Sequence, residues 1–235
     1  DGGSGDQFGN GLVNVDVVHA SPYTIVAGGT SLSSLATATL DPTLASIAAA
    51  ATAGDPATIW QLVAGGLTVL PTSASADSPV ARLIETVWNQ YFVVANRIVD
   101  KNDNGGGYNQ NFAAAGGVDP SQPQPSYQTD FGLNLATSGP SALAGRGVPD
   151  VAALAGGNQR YIVPTADMTG VASGAGTSAA APMWASLVSQ LDAVFNDQGL
   201  PNLGYMNDLL YVAAAIAPAA FNDVTLGINT SSFSL

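Results

Sequence analysis

Ser173-Gly174-Ala175-Gly176-Thr177-Ser178-Ala179-Ala180-Ala181-Pro182 runs without a break into Met183-Trp184-Ala185-Ser186-Leu187-Val188-Ser189-Gln190-Leu191. A tight glycine-containing turn meets an apolar segment with helical spacing, and Ser178 stands at the junction. Proline is best tolerated in the first turn of a helix, where its missing N–H costs nothing. Pro182 therefore predicts a helix that begins at about Ser178 or Ala179. A hydroxyl in that position faces the positive end of the helix dipole and amides with no helical partner. That setting suits a nucleophile whose attack creates an oxyanion. On the helix alone a plain cap is the readier reading, because serine is a preferred capping residue. The small residues on either side favour the nucleophile, since they leave room for a substrate backbone beside the hydroxyl.

Outward from this stretch, composition narrows the classes of function. The chain has 235 residues, enough for one large domain or two small ones. Asp and Glu number 17 against 5 Lys and Arg, a net charge of −12, which argues against nucleic acid and anionic membranes as partners. A sparse charge dominated by carboxylates suits work in acid, where those carboxylates lose charge. There is no cysteine, so neither disulfides nor thiolate metal sites are possible. No apolar run is long enough to span a bilayer. Asp1-Gly2-Gly3-Ser4-Gly5-Asp6 reads as the interior of a longer sequence.

Leu12 to Val18 and Thr24 to Ala27 read as short strands, the second ending at Gly28-Gly29-Thr30. His19 is the one histidine; a loop position makes it a surface group more readily than a catalytic base. Residues 33 to 80 are rich in alanine, threonine and leucine and read as an insertion with short helices at 42–52 and 56–63. Asp100 to Tyr108 is dense in Asp, Asn and Gly but lacks the closing glutamate of an EF-hand, and no Gly-Lys-Ser/Thr follows to make a phosphate loop. Residues 120–128 and 139–147 read as loops, 159–164 as one strand of a hairpin, and 206–215 as a second helix stopped before Pro218. Asn229-Thr230-Ser231 is a glycosylation sequon. Alternating short strands and helices predict an α/β fold with a mainly parallel sheet flanked by helices.

Six blocks then occur in order: Ser21-Pro22-Tyr23 with Gly28-Gly29-Thr30, Glu85-Thr86-Val87-Trp88-Asn89, Gly105-Gly106-Gly107, Gly145-Arg146-Gly147-Val148-Pro149-Asp150-Val151-Ala152, Gly176-Thr177-Ser178-Ala179-Ala180-Ala181-Pro182, and Asn222-Asp223-Val224-Thr225. Together they resemble the sedolisin family, serine-carboxyl peptidases with a subtilisin-like fold. The resemblance implies that residues 1–235 are the C-terminal portion of such a domain, with the insertion at about 33–80. It implies a secreted, acid-active endopeptidase that cleaves proteins or peptides through an acyl-enzyme on Ser178. In that family a glutamate backed by an aspartate is the base. A carboxylate with a pKa of about 4 still accepts a proton in acid, where imidazole is already protonated. A further aspartate, protonated and donating, completes the oxyanion hole. Ungapped matching back from Ser21-Pro22-Tyr23 puts Asp1 in that role, with Asp6 as the rival by local sequence.

Two departures bear on function. By resemblance, the Glu/Asp pair belongs to a helix upstream of Asp1, so a complementary chain or segment is expected to supply it. Glu85 does not replace it, because its block has a position of its own in the family. The family's calcium site begins at the pair matching Asp223, through its carboxylate, and Val224, through its carbonyl; the other ligands are expected beyond Leu235. The competing expectation is a non-catalytic structural or interaction protein that keeps the fold. A subtilisin relative with a histidine base upstream is a third, and it would call for an asparagine as oxyanion donor.

Overall fold

The computed structural model describes residues 15, 21–34, 45–58, 67–69, 82–90, 92–94, 97–99, 102–103, 109–110, 112–137, 140–157, 160–226, 229 and 232–233. Its main sheet has four strands, β1 (Ala27–Ser34), β2 (Leu67–Val69), β3 (Arg82–Val87) and a later strand, Val151–Gly157. Of the short strands that lie between β3 and that later strand, two bear on the site and are labelled β4 (Gly117–Asp119) and β5 (Arg146–Val148), and Val151–Gly157 is labelled β6. The order across the sheet is β6-β1-β3-β2. It is a mixed sheet: β1 and β6 are parallel, whereas β3 runs antiparallel to both β1 and β2. A parallel neighbour far along the chain demands a long crossover, and residues 35–150 supply it. β4 and β5 form a separate antiparallel pair, and β7 (Tyr161–Pro164) and β8 (Val171–Gly174) make the hairpin expected around 159–164.

Among the described residues four α-helices with both ends defined accompany the strands: α1 (Ala45–Thr52), α2 (Ser126–Asp130), α3 (Thr177–Asp197) and α4 (Asn207–Ile216). α3 packs across β6 and β1. Ala180 is fully buried there, and Trp184 donates its indole N–H to the Ala152 carbonyl at 3.0 Å. α1 lies within the alanine-rich stretch and buries Ala48 completely against Ile84 of β3 and Leu226. After it, Asp55 caps a turn at residues 56–58, accepting from the Thr58 amide at 2.9 Å and the Thr58 hydroxyl at 2.6 Å. The remainder of the helix expected at 56–63 and the strand expected at 12–18 lie outside the described residues, Val15 excepted.

Three boundaries differ from the sequence reading, each for a physical reason. β1 begins at Ala27 rather than Thr24, and it passes through Gly28 and Gly29 instead of ending at them. Side chains hold the backbone of 24–26: Arg146 and Asn207 donate to the Thr24 carbonyl, and Asp150 accepts from the Val26 amide. α2 interrupts the segment expected to be loop at 120–128, because Pro125 fixes an extended residue from which a helical turn begins. Pro182 lies in the second turn of α3, since the helix starts at Thr177. The rung lost there is offset by the sheet-facing packing of Ala180 and Trp184.

Candidate active site

Ser178 is the second residue of α3 and is exposed, while its neighbour Thr177 is buried. The turn before it depends on Gly176, whose backbone (φ 125°, ψ 157°) is effectively closed to any other residue. The Gly176 amide donates to the Ala155 carbonyl, which ties the turn to the end of β6. That end is irregular. Thr30 pairs with Leu154 but Ser31 pairs with Gly156, so Ala155 is the extra residue of a β-bulge. The other strand of the pair comes equally close: a Cβ on Gly29 would lie 2.5 Å from Ala155 Cβ and 2.9 Å from Thr177 Cγ2. Glycine at 29 thus lets β1 sit directly under the helix start. The geometry sets an accessible hydroxyl at the positive end of a 21-residue helix, on a turn anchored from below.

A buried polar cluster joins the Ser21-Pro22-Tyr23 and Gly145–Ala152 blocks to α2 and α4. Arg146, fully buried, pairs with Asp150 at 2.7 Å and also donates to the Tyr127 hydroxyl at 2.6 Å and the Thr24 carbonyl at 3.1 Å. Asn207, also fully buried, donates to the same Thr24 carbonyl and the same tyrosine. Tyr127 and Tyr205 both donate to the Pro22 carbonyl at 3.1 Å. The Tyr211 hydroxyl accepts from Gln128 and donates to Asp150 at 3.2 Å. Burial pushes the Tyr127 and Tyr211 hydroxyls up to about 12, so both act as neutral donors at any working pH. Reading the sequence did not single out Tyr127, Gln128, Asn207 or Tyr211. The only local signal was the Arg146/Asp150 spacing, with a cation and a carboxylate four residues apart.

Of the other residues named from sequence, Asp1, Asp6 and His19 lie outside the described residues. Glu85 sits on β3 opposite Leu32 and accepts a 2.5 Å hydrogen bond from Asn222. With the Val87 amide donating to the Leu226 carbonyl at 2.9 Å, this staples the 222–226 segment to β3. Asp223 is exposed and Val224 half-buried on that segment. Among the described residues no group of three or more His, Cys, Asp or Glu could hold a metal ion. Calcium takes six to eight oxygens, so Asp223 and Val224 do not make a cage unaided. Asn229 is half-buried and its side-chain amide donates to the Gly116 carbonyl at 2.6 Å, which occupies the atom a glycan would need. Among the described residues no helix is long and apolar enough to cross a membrane.

The chain is 31% identical to kumamolisin of Bacillus sp. (strain MN-32) over 229 residues, which cover 97% of this chain and 29% of that protein. It is 34% identical to physarolisin of Physarum polycephalum over 113 residues, 45% of this chain and 19% of the relative. With tripeptidyl-peptidase 1 of Homo sapiens it shares 29% identity over 172 residues, 68% of this chain and 27% of the relative. It therefore spans less than a third of the length of these relatives. A solved structure, Pseudomonas sedolisin (serine-carboxyl proteinase) complexed with two molecules of pseudo-iodotyrostatin, is similar at a TM-score of 0.43 and 23% identity, over 70% of this chain and 36% of that one. No family model matches the chain.

Proposed function

The chain belongs to the sedolisin family, and from that membership we propose that it takes the family's subtilisin-like α/β arrangement and carries the nucleophile, Ser178, of an acid-active serine-carboxyl endopeptidase. The observation that supports this most is the setting of Ser178: an exposed hydroxyl, one residue into a long helix, on a glycine turn pinned to the sheet beneath. In the proposed reaction the Ser178 oxygen attacks the carbonyl carbon of a protein or peptide substrate while its proton passes to a carboxylate. The peptide C–N bond then breaks, the leaving amine takes that proton, and water hydrolyses the acyl-enzyme in the reverse sense. A carboxylate base keeps this chemistry alive in acid, where secreted proteins of the type would work.

The Glu/Asp base pair is proposed to come from a segment beyond these 235 residues. α3 supports that reading. One apolar stripe faces β6 and β1, while Met183, Leu187, Leu191 and Val194 form a second stripe, each at least 38% exposed. A helix apolar on two faces is built to be covered on both. Asp1, with Asp6 as the rival, is the proposed oxyanion donor. Calcium is proposed as a structural ion that would take the Asp223 carboxylate and the Val224 carbonyl together with oxygens from elsewhere. It would brace the segment stapled to β3 and takes no part in bond cleavage.

The test is Ser178→Ala in the complete protein. Loss of an activated nucleophile predicts a fall in kcat of at least about a thousandfold at acidic pH, with an unchanged denaturation midpoint. A variant that cleaves as fast as the parent would return the chain to the non-catalytic alternative.

A further inference from the structure

We propose that Trp88 is a positioning residue for Ser178, a wedge that fixes the bulge and turn from which the nucleophile rises. Trp88 follows β3 and is 6% exposed, packed against Ala114 and the fully buried Ala155. Its backbone is held on both sides: the Trp88 amide donates to the Gly29 carbonyl at 3.0 Å, and the Trp88 carbonyl accepts from Ala114 at 2.9 Å. The indole reaches the β6 bulge. A Cβ on Gly156 would lie 3.0 Å from Trp88 Nε1 and 3.3 Å from the Ala175 Cβ, and Gly156 has φ 155°. The bulged Ala155 in turn holds the Gly176 amide, and Gly176 leads directly to Thr177 and Ser178.

The indole N–H has no hydrogen-bond partner among the described residues, and neither does the buried Ser31 hydroxyl, whose residue pairs with Gly156. Leaving a buried donor unsatisfied is costly, and phenylalanine or leucine would avoid it. A tryptophan kept at that cost serves through its shape: a rigid, two-ring plate wide enough to reach from Gly29 to Gly156. A smaller side chain would let Ala155 and Gly156 settle inward, and the Gly176 turn with them. Small displacements of a nucleophile are expensive, since the reacting atoms must meet at about 3 Å.

The inference rests on the reading of Ser178 as nucleophile, and two readouts on the complete protein separate the two claims. For Trp88→Leu, hydrogen exchange at the Gly176 amide is expected to accelerate roughly tenfold at a temperature where both proteins remain folded. kcat per folded molecule is expected to drop about tenfold with KM within twofold, and Trp88→Phe, a flat but narrower plate, is expected to fall between the parent and Trp88→Leu in both exchange and rate. Parent-like exchange at Gly176 in Trp88→Leu overturns the wedge. So does a parent-like kcat, or a loss confined to the denaturation midpoint. If the unsubstituted protein has no peptidase activity, the nucleophile reading fails; exchange at Gly176 then decides the wedge by itself.

Discussion

Tyr211 shows how far a single hydroxyl can be committed. It accepts from Gln128, donates to Asp150, and its ring packs edge-on against Phe131 at 5.4 Å. Burial raises its pKa from the ordinary 10.0 to about 12, and Tyr127 behaves likewise. A group whose folded pKa lies above its unfolded one contributes stability that is complete below pH 10 and is lost as pH rises through about 12. The denaturation temperature is therefore expected to fall between pH 10 and 12, through both tyrosines. Tyr211→Phe should flatten part of that fall while lowering stability at neutral pH by about 1 kcal/mol for the lost bonds. Thermal melts of parent and variant at pH 8 and pH 11.5 check this; a variant with the parent's full alkaline slope would show that Tyr211 ionises freely in the fold. The partners explain why sequence reading found only part of this cluster. Arg146 and Asp150 are four residues apart and stand in one block, but Asn207 reaches Thr24 across 183 residues. No periodicity or motif links such positions. The place of Ser178 at a helix start, by contrast, could be read from Gly174, Gly176 and the apolar run after it, whereas the ties of that turn to Ala155 and Gly29 could not.

Between elements, the closest approach is where β1 passes beneath the start of α3, and Gly29 makes it possible. A methyl at 29 would collide with the side chains of both Ala155 and Thr177, neither of which can swing aside. Gly29→Ala is expected to destabilise by about 1–3 kcal/mol, as overpacking does, and to disturb the turn ahead of Ser178. A urea midpoint equal to the parent's would mean that β1 and α3 can separate at no cost, against the packing described. Sequence pattern located these elements better than it bounded them. Val26 and its neighbours look like strand because they are β-branched, yet their amides and carbonyls are taken by Asp150, Arg146 and Asn207 before any ladder forms. The α3 start was misplaced by treating Pro182 as a first-turn residue, when a helix packed on a sheet tolerates it one turn later. The hairpin of β7 and β8 was legible from Tyr161–Pro164 alone, because its tip is self-sufficient. There Asp167 accepts from the Thr165 hydroxyl and the Thr169 amide, which hold its carboxyl down at about 2 and keep that turn intact in acid.

At the scale of the whole molecule two forces oppose each other. A net charge of −12 keeps copies apart at neutral pH, while α3 exposes Met183, Leu187, Leu191 and Val194, and α4 exposes Leu209, Val212 and Ile216. As pH falls toward the isoelectric point of about 4.1 the carboxylates gain protons and the repulsion disappears, but the apolar stripes do not. Acid is also where the proposed chemistry runs, so something must shield those stripes. If the remainder of a sedolisin domain covers α3, two outcomes follow from one pair of substitutions, Leu187→Gln with Leu191→Gln. On residues 1–235 alone, light scattering is expected to peak near pH 4, and the double variant should lower the peak without moving it. Isoelectric precipitation that ignored α3 would leave the height unchanged. In the complete protein the same double variant should lose stability, by about 1.5–3 kcal/mol for each leucine withdrawn from a buried contact. A complete protein indifferent to both substitutions would mean that the second face of α3 stays in water. The catalytic base would then have to reach Ser178 without a partner segment lying along that helix.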